Sequence, residues 1–270
     1  MKSEKNKSLR LTESAVMVSL AFALSMLQII PMPFGGSVTA MSMLPVAVAA
    51  YRYGTPWGLL TGFAFSLLQL IMGMKNLTYA TSAAAAIAII LLDYVMAYTV
   101  IGLSGVFKGK IKDRGNALAT GVFTACLLRY ICHVISGCTV WAGVSIPTSG
   151  GLIFSLAYNS AYMIPETLIT TVGAYFAGKA FTLTEEQIKR VPMERGALIN
   201  LYTAIPASVG TVFAFVMIFA MIQTEDGFDI TAAASAGVVE WVPVITVFAV
   251  GILAAAVIRF ALKRKTPNQP

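Results

Sequence analysis

The sequence predicts an all-α integral membrane protein: a core of six membrane helices followed by two extra C-terminal transmembrane helices. Hydrophobic residues make up 57% of the 270 positions and charged residues only 11%, against roughly 25% charged residues in a soluble domain. No charged residue lies between Glu13 and Arg52 or between Arg195 and Glu225. Both uncharged runs exceed the ~20 residues needed to cross a bilayer. An ordinary soluble domain is therefore excluded.

Apolar runs separated by short charged clusters divide the chain into eight predicted membrane helices. In order, they cover residues 11–30, 38–52, 56–74, 79–107, 115–141, 152–179, 197–223 and 238–262. The second carries Pro45, which predicts a kinked or incompletely spanning helix. We expect residues 1–179 to form the six-helix core and residues 180–196 to form a charged cytoplasmic connector. Residues 197–270 then hold the last two helices and a basic tail.

The basic residues predict the orientation of these helices. With both termini in the cytoplasm, every lysine and arginine except Lys75 and Arg129 lies on the cytoplasmic side. Such an excess of positive charge marks the cytoplasmic loops of membrane proteins. The net charge of +7 therefore reflects topology, and we expect no nucleic-acid partner. The predicted location is a bacterial cell membrane, which the chain crosses several times.

A polar stripe on the fifth predicted helix marks the candidate site. Arg129, His133, Gly137 and Trp141 recur at every fourth position, so they share one slanting face of an α-helix. The stripe holds a cation, the only histidine of the chain, a position without a side chain and an indole. Polar groups at membrane depth are costly and usually functional.

Two other helices carry residues of matching character. Asp93 and Tyr94 lie within the fourth helix, and the sixth carries Phe154, Tyr158, Asn159 and, two turns deeper, Glu166. Aromatic faces attract organic cations, a carboxylate supplies a counter-charge, and an amide or imidazole can read a polar heterocycle. We predict a planar, cationic and polar ligand, with space for a flat ring at Gly137. The alternative is a structural network of ion pairs among the four ionisable side chains Asp93, Arg129, His133 and Glu166.

The first predicted helix carries small residues at four-residue spacing, namely Ala15, Ser19 and Ala23. Such a stripe lets a second helix approach closely in a membrane. The neighbour is either a partner subunit or another helix of the same chain.

The sequence favours no enzyme, cofactor or metal. Its three cysteines lack the spacing of a metal site, and no GxxxxGK[ST] phosphate loop is present. The run Glu185-Glu-Gln-Ile-Lys-Arg190 matches the EExxxR pattern of intramembrane prenyl-protein proteases. That chemistry needs further histidines to hold a metal, so we interpret the run as a solvated amphipathic linker.

Residues 9–179 resemble the thiamine-specific substrate-binding (S) subunit of energy-coupling-factor transporters, the ThiT/YuaJ family. The resemblance rests on the opening LTESAVMVSLAFALS, the Asp93-Tyr94 pair, the RxxxHxxxGxxxW stripe and the FSLAYN segment that ends at Asn159. It implies a six-helix protein that captures thiamine from outside. The subunit then docks on an energy-coupling module made of a transmembrane coupling subunit and two ATPases. The last 90 residues or so lie outside the resemblance.

The resemblance also implies roles for individual residues. His133 and Tyr94 would contact the thiazolium ring, Trp141 would stack on a ring, and Asp93 and Asn159 would bind polar or cationic parts. Gly137 would line the pocket. The family has a glutamate at the position of Asp93, a tyrosine at that of Phe154 and often a lysine at that of Arg129. Some members have a loop tryptophan, and Phe34 is its candidate substitute.

Two other transport functions and one enzymatic function stay open at this point. A related S subunit would bind another vitamin. An ion-coupled secondary transporter would use Asp93, Arg129, His133 and Glu166 as a proton relay, although no inverted repeat supports it. An intramembrane enzyme ranks last.

Overall fold

The computed structural model describes residues 2–32, 35–144, 148–224, 227–229 and 231–264, with residues 2–6, 224, 227 and 228 described by their backbone only. The chain divides into two compact units, Met1–Val191 and Pro192–Pro270. All predicted ligand-binding residues belong to the first unit. Phe34 and Lys265 lie outside the described residues.

The first unit is mostly helical, with two short antiparallel hairpins. Its main elements are α1 (Lys2–Met26), β1 (Gln28–Pro31), β2 (Ser37–Thr39), α2 (Leu44–Tyr53), α3 (Thr55–Met72), a 3₁₀ helix (Met74–Tyr79), α4 (Ala83–Ile89), a π-helix (Ile90–Met96), α5 (Ala97–Thr99), a second 3₁₀ helix (Val100–Gly105), α6 (Arg114–Thr139), α7 (Gly151–Ala180), β3 (Phe181–Leu183) and β4 (Ile188–Arg190). The second unit consists of α8 (Arg195–Ile222), β5 (Gln223–Thr224), β6 (Gly227–Phe228), α9 (Thr231–Ser235) and α10 (Val238–Arg264).

Six helices among the described residues are long and apolar enough to cross a membrane, against eight predicted. They are Lys7–Met26, Thr55–Met72, Ala83–Gly105, Arg114–Thr139, Arg195–Ile222 and Val238–Arg264. The second predicted span is too short, because α2 has only 10 residues. The sixth predicted helix corresponds to α7, which has 30 residues but is not among the six helices named above. Polar side chains on its buried face, such as Asn159 and Glu166, lower its hydropathy.

The connection between the first two helices is longer than predicted. The sequence predicted that the first helix ends at residue 30 and that the second begins at residue 38. Helix α1 ends at Met26, and β1 pairs with β2 in the register Gln28↔Thr39, Ile30↔Val38 and Pro31↔Ser37. Gly35 and Gly36 have φ angles of +99° and +84°, a region that only glycine enters without strain. The glycines thus form a turn that brings the following strand back along the first.

Close helix contacts through small residues build the centre of the first unit. Helix α2 is almost wholly buried, and its Val46 packs in a cluster with Phe65 of α3 and Leu118 of α6. A Cβ at Gly102 would overlap the backbone of Gly58, and one at Gly121 would overlap the carbonyl of Ser104. Backbones approach this closely only where side chains are absent, as is usual for packed membrane helices.

The expected connector, residues 180–196, contains a folded hairpin, and its charged run from Glu185 to Arg190 is exposed. Its first part forms the β3–β4 hairpin, with Phe181 opposite Arg190. Arg52 is only 1% exposed, and its Nε donates a hydrogen bond of 2.8 Å to the Thr184 carbonyl. Leu183 is buried in the core cluster. The hairpin therefore belongs to the first unit, whose boundary falls after Val191.

Candidate ligand-binding site

Two adjoining cavities, of about 80 and 540 Å³, lie inside the first unit. The smaller one is lined by most of the residues predicted from the sequence: Asp93, Tyr94, Arg129, His133, Gly137, Trp141, Tyr158 and Asn159. The larger one adds Thr39, Gln69, Lys75 and Glu166. Gly35, Gly36, Asn76, Tyr94, Tyr98 and Arg129 line both. The cavities therefore form one continuous region between α6, α7 and the turn of the β1–β2 hairpin.

Asp93 is the polar centre of the smaller cavity. One of its carboxylate oxygens lies 2.9 Å from His133 Nδ1. The other accepts hydrogen bonds from Ser136 Oγ at 2.6 Å and from the indole Nε1 of Trp141 at 3.0 Å. The carboxylate thus has two partners on α6 and a third, Trp141, just beyond the end of that helix, and these contacts fix the orientation of both rings. The carboxylate also places a negative charge between them.

The π-helix accounts for the position of Asp93 and Tyr94. Neighbouring residues on an α-helix point about 100° apart, yet both of these side chains line the smaller cavity. The chain forms a π-helix from Ile90 to Met96, which widens the turn and reduces that angle. Short π segments of this kind are frequent at functional sites.

His133 keeps one ring nitrogen available for a ligand. Its Nδ1 faces Asp93, whereas its Nε2 is buried and has no hydrogen-bond partner among the described residues. An unpaired buried polar atom is costly, and this one lines the cavity. A ligand with a complementary polar group would satisfy it.

Arg129 is held by an aromatic ring rather than by an acid. Its Nη2 donates to Tyr98 Oη at 2.9 Å, and its guanidinium carbon lies 4.3 Å from the centre of the same ring. Its Nη1 contacts Met43 Sδ at 3.1 Å. Of the four ionisable side chains, only His133 and Asp93 form a salt-bridge contact in the described chain. Direct contacts therefore do not join all four side chains into one ion-pair network in the described residues.

Aromatic and amide side chains complete the walls. Trp141 and Tyr79 have ring centres 5.7 Å apart, and those of Tyr158 and Tyr162 are 6.2 Å apart. Asn159 donates to the His133 carbonyl at 3.3 Å, and its Oδ1 accepts a bond of 2.8 Å from Tyr162. Its amide therefore links α6 to α7 as well as lining the cavity.

Two predicted positions require correction. Gly137 lines the cavity, but a Cβ there would overlap Ser155 Oγ, so the glycine allows α7 to approach α6 rather than leaving space for a ring. Phe154 is half-buried and lines neither cavity. Phe34 lies outside the described residues, so its role stays a prediction.

Helical spacing could have revealed several residues of the site that were not predicted: Tyr98 and Tyr162 line the smaller cavity, and Ser136 binds Asp93 from behind the wall. Ser136 lies three residues after His133, Tyr98 four residues after Tyr94, and Tyr162 three residues after Asn159. Residues at these separations share a helix face. Asn76 had no such signal, because it follows α3 in a 3₁₀ helix and reaches the site by donating to Tyr94 Oη at 2.9 Å.

The described residues contain no group of three or more histidine, cysteine, aspartate or glutamate side chains that could hold a metal ion. The small-residue stripe of α1 lies apart from the cavities. Ala15, Ser19 and Ala23 are all exposed, and the hydroxyl of Ser19 donates to the carbonyl of Ala15 at 2.9 Å.

The model of the thiamine transporter protein family (Thia_YuaJ) matches residues 11–184, a range that contains both cavities. The chain belongs to this family. The matched range ends inside the β3–β4 hairpin, so α8 to α10 lie beyond it. Its membership in this family and its several apolar helices identify the chain as a multi-pass membrane protein.

Two curated relatives and one solved structure agree with this assignment. The thiamine transporter ThiT of Bacillus subtilis is 33% identical over 174 residues, covering 60% of this chain and 86% of the relative. The thiamine transporter ThiT of Lacticaseibacillus paracasei is 27% identical over 173 residues, covering 59% and 82%. A structure of ThiT from Listeria monocytogenes matches with a TM-score of 0.52 and 22% identity, covering 64% of this chain and 94% of that one. The last comparison shows a shared fold.

Proposed function

We propose that this protein is the membrane-embedded thiamine-binding subunit of an ATP-driven energy-coupling-factor importer in a bacterial cell membrane. The carrying observation is the hydrogen-bonded group of Asp93, His133 and Trp141 on a cavity wall. Thiamine joins a thiazolium cation to an aminopyrimidine ring. The partly buried carboxylate of Asp93, tyrosine and tryptophan faces and an unpaired imidazole nitrogen match these features.

Membership in the thiamine transporter family supports this ligand over another vitamin. The excess of basic residues in the loops supports cytoplasmic termini, so the cavity between the start of α7 and the β1–β2 turn would face outward. The chain itself has no phosphate loop, so ATP hydrolysis would come from two ATPases attached to a transmembrane coupling subunit. Binding needs no cofactor, and we propose no catalytic activity.

Thiamine is expected to quench the fluorescence of Trp141. Stacking on an aromatic side chain is worth about 1–3 kcal/mol, so Trp141→Ala should weaken binding roughly ten- to a hundredfold and remove most of the signal. Titration of purified protein in detergent measures both effects. Trp241→Ala, in the second unit, is the matched control and should keep the affinity. Unchanged affinity in Trp141→Ala would remove the indole from the site.

A chain that ends after Val191 is expected to bind thiamine with nearly full-length affinity. All lining residues of both cavities precede this point, and the boundary between the compact units falls here. An end at Lys179 would remove the β3–β4 hairpin and its hydrogen bond to Arg52. Calorimetric titration compares the full-length and shortened proteins in the same detergent. A folded shortened protein without affinity would show that α8 to α10 help to form the site.

The stripe of Ala15, Ser19 and Ala23 is proposed as the surface that docks on the energy-coupling module. All three residues are exposed on α1, and small residues at this spacing permit close helix contact. Ala15→Leu and Ala23→Leu should therefore abolish thiamine uptake by cells while leaving binding to the purified protein intact. Ala84→Leu, at an exposed alanine of α4, is the control. Loss of binding in the stripe variants would assign the stripe to internal packing.

A further inference from the structure

Glu166 is a buried carboxylate that the proposed thiamine contacts do not use. It lies on α7, is 1% exposed and lines the larger cavity. Both of its oxygens bind Thr39, the last residue of β2: Oε2 accepts from the backbone N–H at 2.5 Å and Oε1 from the hydroxyl at 2.6 Å. Burying an acidic side chain costs free energy unless hydrogen bonds compensate for the lost contacts with water. Here its two bonds fix one point of the chain.

That point is the base of the segment that covers the site. We define the covering segment as residues 35–39, from the glycine turn to Thr39. Gly35 and Gly36 line both cavities, and the Gly35 carbonyl accepts a bond of 3.1 Å from Tyr158 Oη. A Cβ at Gly36 would come within 2.9 Å of the Tyr162 ring. The turn thus rests against the aromatic wall, while Glu166 holds the other end.

The chain just after Thr39 is strained, and α7 holds it there. Met41 has a φ of +60°, a conformation that costs a non-glycine residue about 1–3 kcal/mol and persists only when its surroundings impose it. A Cβ at Gly173 of α7 would overlap the sulfur of Met41. Ser42 strengthens the same turn, because its backbone N–H donates to Thr39 Oγ1 at 3.3 Å.

One face of α7 connects this anchor to the binding site. Asn159, Glu166 and Gly173 are spaced by seven residues, which places them on the same side of the helix. Asn159 contacts the carbonyl of His133, Glu166 holds Thr39, and Gly173 faces Met41. Two residues after Met41, Met43 contacts Arg129, which lines both cavities. Anchor and site therefore lie on the same helix.

We infer that Glu166 is a positioning residue for the ligand: through Thr39, it holds the covering segment closed over the cavity and so limits the rate at which bound thiamine leaves. The identity of the ligand in this inference rests on the proposed function. The anchoring of the covering segment by Glu166 does not. Without the two bonds, the strain at Met41 favours release of the segment. Thiamine would then dissociate faster, whereas its contacts with Asp93 and Trp141 would be unchanged.

The kinetic experiment measures thiamine association and dissociation by stopped-flow tryptophan fluorescence in purified full-length protein. Hydrogen bonds to a buried charge are strong, so Glu166→Gln should raise the dissociation rate about tenfold or more, with the association rate within about twofold. Thr39→Val should also raise the dissociation rate. Thr39→Ser keeps the hydroxyl, so its dissociation rate should be close to that of the unmodified protein. Glu185→Gln is the matched control: it makes the same change at a carboxylate that is 59% exposed, and it should leave the dissociation rate unchanged.

Hydrogen exchange at the amide of Thr39, in protein without thiamine, separates this inference from the proposed function. Glu166→Gln should speed exchange there about tenfold or more, with little change along α6. Unchanged dissociation in folded Glu166→Gln or, if that variant does not fold, in Thr39→Val would overturn the inference. If the unmodified protein does not bind thiamine, the proposed function fails and the exchange rate alone decides whether Glu166 anchors the segment.

Discussion

Replacing Asp93 with alanine is expected to abolish measurable thiamine binding, with a loss of at least about a hundredfold in affinity. The carboxylate accepts from Ser136 and Trp141 and contacts His133, and each hydrogen bond to a charged group contributes about 1.5–3 kcal/mol. Its removal leaves two rings without orientation and a thiazolium without a counter-charge. Calorimetric titration of thiamine measures the loss.

Asp93→Asn separates the two roles of this residue. The amide has nearly the same size but no charge, and one of its atoms becomes a donor that faces other donors. We expect thiamine to lose more affinity than a neutral analogue that lacks the ring charge, because Coulomb attraction is strong at low dielectric. Asp229→Asn, in the second unit, is the control. Equal losses for both ligands would show that Asp93 orients its neighbours without acting as counter-charge.

Gly137→Ala is expected to have the second largest effect, with a loss of tenfold or more in affinity and a lower melting temperature. A Cβ at this position would overlap Ser155 Oγ and lie 3.3 Å from Asn159 Nδ2. Helix α7 must then move away from α6, which displaces Asn159 from the cavity wall. Forcing extra volume into a packed contact costs about 1–3 kcal/mol.

A second substitution tests whether this overlap is the cause. Ser155→Ala removes the oxygen that the new Cβ would meet, so the double variant should regain part of the affinity and stability. Gly196→Ala, where a Cβ meets no atom within 4 Å, is the matched control. A Gly137→Ala variant that binds thiamine normally would show that α6 and α7 can separate without changing the site.

The side chains of the site were largely predictable because helices impose a fixed spacing. Arg129 and His133 lie on one face of α6 by their four-residue separation, and the structure places them around the same cavity as Asp93 and Tyr94. Trp141 was predicted on the same helix face, but α6 ends at Thr139, so Trp141 reaches that cavity from just beyond the helix. What could not be predicted depends on contacts between distant residues. Glu166 and Thr39 are 127 positions apart, and nothing in the sequence near Glu166 indicates its partner.

The errors in the predicted fold have related causes. An apolar run does not reveal that residues 28–31 and 37–39 pair as antiparallel strands, since strand and helix are both compatible with it. Residues 185–190 are exposed, but their charge does not reveal that they belong to a hairpin whose Thr184 carbonyl accepts a hydrogen bond from the buried Arg52. For Gly137, the sequence showed a missing side chain but not whether a ligand or another helix occupies the space. The overlap with Ser155 identifies α7 as the neighbour.

The most direct test of the proposed function is calorimetric titration of thiamine into the purified full-length protein after removal of any bound ligand. We predict saturable binding of one thiamine per chain, with much weaker heat from the neutral analogue. No heat from thiamine, together with saturable binding of a different vitamin by the same preparation, would contradict the proposal.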